Sequence, residues 1–226
     1  DATVIEQGTW CGYTRPDMLR TYVDDGEKDY FSEMADRFYQ NQRDIFGDVT
    51  NYYAVDPFHE GGRTGDMDVS LVYETVQQKM IENDEDAIWL IQQWSGSMTD
   101  AKLSGLKVKD QALVLDLFSE INPSYSVMER NDIPWVWCML HNFGGRMGID
   151  GNPDDVSQNI PDDHQSTEYM QGIGMTPEAI ENSPMMYELL WDMTWTKDPI
   201  DYREWVQDYA ERIYGGTNED IQRVWE

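Results

Sequence analysis

Four short runs of apolar residues recur along this chain, and each is separated from the next by a stretch of helical pattern. They are "NYYAV" at 51–55, "AIWLIQQW" at 87–94, "ALVLDLF" at 112–118 and "PWVWCML" at 134–140. A strand with one wet face alternates apolar and polar residues. Nearly continuous apolar runs suit strands covered on both faces, as in a parallel sheet flanked by helices. The intervening segments supply the helices. "DYFSEMADRFYQNQRDIFG" sets Phe31, Met34, Phe38 and Ile45 near one helical face and stops at Gly47, and Val69, Val72, Val76 and Met80 mark a second helix. Strand–helix alternation of this kind predicts an α/β fold.

The texture changes after the fourth run. Residues 146–168 are rich in Asp, Asn, Gly and Pro and read as a long loop. "YMQGIGMTPE" then returns to a short strand with Glu178 just beyond it. From Ser183 the pattern is helical: Ser183 suits an N-cap with Pro184 at the first helical position, and Leu189, Leu190 and Met193 give an apolar side. Asp198-Pro199 opens another helix, with Trp205, Tyr209 and Ile213 on one face and Gly215-Gly216 as its stop. Both ends read as cut, with a strand-like "ATVI" at the start and "EDIQRVWE" helical and uncapped at the finish.

Composition excludes several functions. Acidic residues outnumber basic ones 44 to 16, for a net charge of −28. Nucleic acid and anionic membrane surfaces would be repelled, so neither is an expected partner. The charge reads as a solvated surface. No apolar run is long enough to span a bilayer. Cys11 and Cys138 are too few for a disulfide scaffold or a zinc site. His59, His141 and His164 match no zinc spacing, so neither a metal nor a cofactor is expected. Nine Trp and 13 Tyr exceed what packing usually requires, and aromatic walls suit the apolar faces of sugars, although most of these residues read as core.

Each run ends in polar or aromatic side chains. The first gives Asp56, His59 and Glu60 before Gly61-Gly62. The second gives Gln92, Gln93 and Trp94, the third Asp116 and Glu120, and the fourth His141 and Asn142 before Phe143. Four such endings in succession describe one functional face, because the C-terminal ends of parallel strands are where β/α folds keep their chemistry. Asp116 and Glu120 are rival carboxylates on that face, and Asp116 serves equally well to bond backbone at the rim.

"DPFHEGG", "WLIQQW", "LVLDLFSE", "PWVWCMLHNFGGRMG" and "GIGMTPEAIENSPMMYELLWDMTW" together resemble, in order, the α-N-acetylglucosaminidases of glycoside hydrolase family 89, and His59 fits the bacterial branch. The resemblance implies the C-terminal part of a β/α (TIM) barrel over residues 1–182. Residues 183–226 would be helices that close the barrel and begin an all-helical domain. It implies an N-terminally truncated piece whose partner is the missing barrel half. It maps the general acid/base to Glu60 and the nucleophile to Glu178. Sugar-pocket positions carry over to Trp10, His59, Trp94, Leu117, Leu140 and Phe143. Gln93 departs from the glycine usual before the pocket tryptophan, which predicts crowding near Trp94. The implied activity is retaining hydrolysis of terminal α-linked N-acetylglucosamine from glycans of heparan-sulfate or mucin type, by a secreted or cell-surface bacterial enzyme. The alternative is a catalytically incompetent barrel fragment that binds glycans or a partner protein.

Overall fold

The apolar runs form strands, and helices connect most of them. The computed structural model describes residues 4–10, 12–14, 16, 18–19, 30–58, 62–94, 96–142, 151–178 and 180–225. The chain divides into two compact units, one of Asp1–Leu115 with Tyr125–Pro134 and one of Asp116–Ser124 with Trp135–Glu226.

The first unit opens with four two-residue strands, β1 (Val4–Ile5), β2 (Thr9–Trp10), β3 (Tyr13–Thr14) and β4 (Met18–Leu19). β1 pairs antiparallel with β4, and β2 with β3 across Gly12, whose φ of +81° suits a glycine. Then follow α1 (Tyr30–Phe46), β5 (Tyr52–Ala54), α2 (Val69–Asn83), β6 (Ile88–Gln93), α3 (Asp100–Leu103), β7 (Ala112–Asp116) and α4 (Ser126–Glu129). β5 pairs in parallel with β6 in the register Tyr52 to Ile88, and α2 makes the crossover. Asp68 caps α2 by accepting from the amides of Ser70 (2.9 Å) and Leu71 (3.4 Å). The buried face of α2 carries Val72, Tyr73, Val76 and Met80, and Tyr73 meets Trp89 of β6 with ring centroids 5.0 Å apart. The Trp89 indole donates to Val55 O (3.0 Å), which fixes the end of β5.

The apolar side of α1 is not core. Among its described side chains only Ala35 is buried, while Met34, Phe38 and Ile45 are 53–71% exposed. With Phe31, Tyr39, Tyr52 and Val55 of the same unit, Met34 and Phe38 line an open groove of about 410 Å³.

The second unit holds β8 (Trp135–Met139), α5 (Pro153–Ser166), β9 (Met170–Met175), α6 (Pro184–Met193), α7 (Tyr202–Tyr214) and α8 (Glu219–Trp225). β8 pairs in parallel with β9, with an irregularity between Trp135 and Val136. Trp135, Trp137, Cys138 and Met139 of β8 are all at most 2% exposed, as a strand covered on both faces requires. Its core continues through Val156 and Ile160 of α5, Met186, Leu189 and Leu190 of α6, and Val206 and Tyr209 of α7. Ile213, expected beside Tyr209, is instead half in solvent.

Most of the segment read as a loop is the helix α5. Its start signal is Pro153 at the first helical position with Asp154 and Asp155 in the first turn. Asp and Asn in the composition masked the buried spacing of Val156 and Ile160, and Pro161 sits inside the helix on its buried side. Residues 146–150 lie outside the described residues. Asp201, rather than Asp198, caps α7, and Gly215 ends it at φ +78° as expected. Among the described residues no helix is long and apolar enough to cross a membrane.

Gly105 is the position where the first unit tolerates no side chain. A Cβ there would lie 2.1 Å from Ser70 O and 2.8 Å from Tyr73 Cβ. Gly105→Ala is expected to destabilise the protein by about 2–3 kcal/mol or more through overpacking. Urea unfolding of the variant beside the wild type measures it, and an unchanged midpoint would contradict this packing.

Candidate active site

The polar side chains gather where the strands of the second unit end. β9 runs out into Thr176, Pro177 and Glu178. The Thr176 amide donates to Met139 O (2.9 Å), its hydroxyl to Leu117 O (3.0 Å), and the Glu178 amide to Asn142 O (3.2 Å). Leu117, Leu140 and Glu178 therefore stand together at the C-terminal ends of β7, β8 and β9. Glu178 is exposed, Leu117 half-buried and Leu140 buried.

Below Glu178 lies a cluster of buried polar groups. Asp116, Ser119, Glu120, His141 and Asn142 are each at most 4% exposed. Asp116 accepts from the Ser124 amide (2.7 Å), so it bonds backbone at the rim. Glu120 Oε1 accepts from the His141 amide (2.6 Å), and His141 Nε2 accepts from the Ser183 amide (2.9 Å). The Asn142 side chain donates to Glu181 O. Ser183 does occupy the N-cap position of α6, but its side chain makes no capping bond.

Burial pushes the Glu120 carboxyl up to about 7, helped by the nearby Asp116 and opposed by the amides that donate to it. Glu120 Oε2 has no hydrogen-bond partner among the described residues. Glu120 and His141 both border a space of about 40 Å³, lined also by Phe118, Asn152 and Met186. Such a space suits two or three waters. Burial likewise pushes the Cys138 thiol up to about 12, so it is no nucleophile.

Trp94 lies in the first unit, half-buried and directly after β6. Gln93 is buried and accepts from the Met98 amide (2.6 Å) and the Ser97 hydroxyl (3.3 Å), so its side chain organises the turn that follows Trp94. Trp10 has its backbone in β2, and its side chain is outside the described set. His59, Glu60 and Phe143 lie outside the described residues. Among the described residues no group of three or more His, Cys, Asp or Glu is arranged to hold a metal ion.

Residues 1–197 match the family model for the alpha-N-acetylglucosaminidase (NAGLU) tim-barrel domain. The chain belongs to this family. It is therefore an α/β chain carrying part of a β/α barrel. It is 30% identical to the human alpha-N-acetylglucosaminidase over 98% of its own length and 31% of that protein. Solved structures of the family 89 glycoside hydrolase from Clostridium perfringens align with a TM-score of 0.92. One, in complex with 2-acetamido-1,2-dideoxynojirmycin, is 57% identical over 99% of this chain. Another carries two Glu-to-Gln substitutions and holds its substrate GlcNAc-alpha-1,4-galactose. The chain spans 25% of those solved chains.

The sequence pointed to His141, Asn142 and Glu120 only as polar strand endings. The parts taken by Ser183 and Tyr187 carried no signal, because one acts through its amide and the other by packing edge-on against His141 with ring centroids 5.6 Å apart.

The raised carboxyl gives a signed prediction. In the unfolded chain Glu120 ionises near 4.5, and in the folded chain near 7. Below 4.5 both states bind the proton and the group costs nothing. As pH rises from 4.5 to 7 only the unfolded state releases it, so stability falls, by up to about 3 kcal/mol, and levels off above 7. Glu120→Gln is expected to remove that slope. Chemical denaturation of both proteins from pH 4 to 8 measures it, and parallel curves would contradict the assignment.

Proposed function

We propose that this chain carries both catalytic carboxylates of a retaining glycoside hydrolase that removes terminal α-linked N-acetylglucosamine from glycans. Glu60 is the acid/base and Glu178 the nucleophile, and Trp10, His59, Trp94, Leu117, Leu140 and Phe143 hold the sugar. One observation carries the reading. The two glutamates replaced in the Clostridium perfringens substrate complex are separated by the same number of positions as Glu60 and Glu178, within a match that covers 99% of this chain.

The chemistry explains why two carboxylates are required. In an α-linked N-acetylglucosamine the 2-acetamido group lies on the same face as the leaving oxygen, so it cannot attack from behind. The protein must supply the nucleophile. Glu60 protonates the glycosidic oxygen as the Glu178 carboxylate attacks the anomeric carbon. The carbon–oxygen bond breaks and a glycosyl ester forms. Glu60, now a carboxylate, takes a proton from the water that displaces Glu178, and the sugar leaves with its configuration retained. Such pairs stand about 5–5.5 Å apart. Glu178 suits its part by standing exposed at a strand end, on a loop tied to its neighbours.

The activity is proposed for the whole protein, since the chain spans a quarter of the solved relatives. Under the same reading residues 1–182 are barrel and 183–226 begin a helical segment. The open apolar groove beside α1 and β5 is then the face against which the rest of a family barrel packs.

Hydrolysis of an aryl α-N-acetylglucosaminide by the natural full-length protein tests the reading. Glu60→Gln and Glu178→Gln are each expected to lower kcat by about a thousandfold or more, and NMR of the first product is expected to show the α anomer. Glycan binding without turnover would favour a binding module, and a β first product would remove the retaining mechanism.

A further inference from the structure

We infer that His141 and Asn142 are positioning residues that fix the loop carrying Glu178, and with it the direction from which its carboxylate attacks. This rests on Glu178 being the nucleophile.

The loop from Thr176 to Ser183 is held along its length by the segment that leaves β8. The Thr176 amide is bound to Met139 O and the Glu178 amide to Asn142 O. Beyond Glu178, the Asn142 side chain donates to Glu181 O, and the Ser183 amide donates to His141 Nε2 at 2.9 Å. Asn142 therefore grips the loop at Glu178 through its carbonyl and at Glu181 through its amide group. His141 anchors the far end, where α6 begins. Tyr187 of α6 packs edge-on against the His141 ring and donates its hydroxyl to Asn182 at 3.0 Å.

The anchor is itself fixed. His141 has φ of +59°, a left-handed conformation uncommon for a residue with a Cβ. In that conformation its amide donates to Glu120 Oε1 at 2.6 Å. A ring nitrogen that accepts from Ser183 carries no proton, so the ring proton sits on Nδ1 in the bonded state. Both side chains are buried, His141 at 4% and Asn142 at 0% exposure, and both bond backbone groups of the loop. Their effect on the reaction must pass through Glu178. A displacement of about 1 Å in a reacting group costs on the order of a hundredfold in rate.

The test compares His141→Leu with His141→Gln in the full-length protein. Glutamine keeps an oxygen able to accept from the Ser183 amide, and leucine does not. His141→Leu is expected to lower kcat by about tenfold to a hundredfold while KM changes less than about threefold. It should also speed amide hydrogen exchange at Glu178 and Ser183 about tenfold and leave α7 unchanged. His141→Gln should recover most of both effects. Should His141→Leu not fold, Asn142→Asp removes the donor to Glu181 and is read the same way. Unchanged exchange in the loop, faster exchange with unaltered kcat, or equal defects in the leucine and glutamine variants would overturn the inference. A wild-type protein with no glycosidase activity would overturn the proposed function instead, and loop exchange would still decide whether the clamp exists.

Discussion

The bond between the His141 amide and the buried Glu120 carboxylate is the constraint on which the candidate site depends. A parallel strand normally hands its chain to a loop whose backbone groups face water. At the end of β8 the chain turns inward instead, through a left-handed residue, and places two polar side chains in the interior. Glu120, His141 and Asn142 each hold a backbone group, while Glu120 Oε2 and Asn142 Oδ1 have no hydrogen-bond partner among the described residues. Glu120 holds the His141 backbone, His141 holds Ser183, and Asn142 holds Glu178 and Glu181. Buried polar groups are costly when unpaired and ordering when paired, so such a network favours a single loop conformation.

The same network sorts the acidic residues of this end of the sheet. Asp116 is committed to the Ser124 amide, and Glu120 is committed to His141 and held near neutrality by burial. Glu178 alone among these three is exposed, on a loop tied to His141 and Asn142. Under the proposed function the Glu178 carboxylate must be reachable and fixed to attack an anomeric carbon. Exposure makes it reachable, and its tethered backbone supplies the fixing.

The sheet was legible in the sequence for a simple reason. Strands covered on both faces must be apolar throughout, and "PWVWCML" and "AIWLIQQW" announce that directly. The helix α5 was not legible, since its exposed side is a mix of Asp, Gln, His and Ser and the apolar spacing reduces to Val156 and Ile160. The apolar stripe of α1 was legible as a stripe, but a stripe does not say whether anything covers it, and in this unit Phe38 and Ile45 remain open. Of the site, the carboxylates could be picked out as strand endings, and the family resemblance was needed to prefer Glu178 to Asp116 or Glu120. The clamp could not be read at all. It is made largely of backbone groups joined across some forty positions, and no residue type marks an amide that donates to a histidine.

Under the proposed function Glu178, and neither Asp116 nor Glu120, forms the bond to the sugar. A mechanism-based label tests this most directly. An activated 5-fluoro N-acetylglucosaminyl fluoride slows the second step of a retaining reaction, so that the glycosyl ester accumulates and can be mapped by peptide mass spectrometry. The account predicts a single adduct on the peptide that contains Glu178, absent in Glu178→Gln. An adduct on Asp116 or Glu120, or turnover with no covalent adduct and an inverted product, would contradict it.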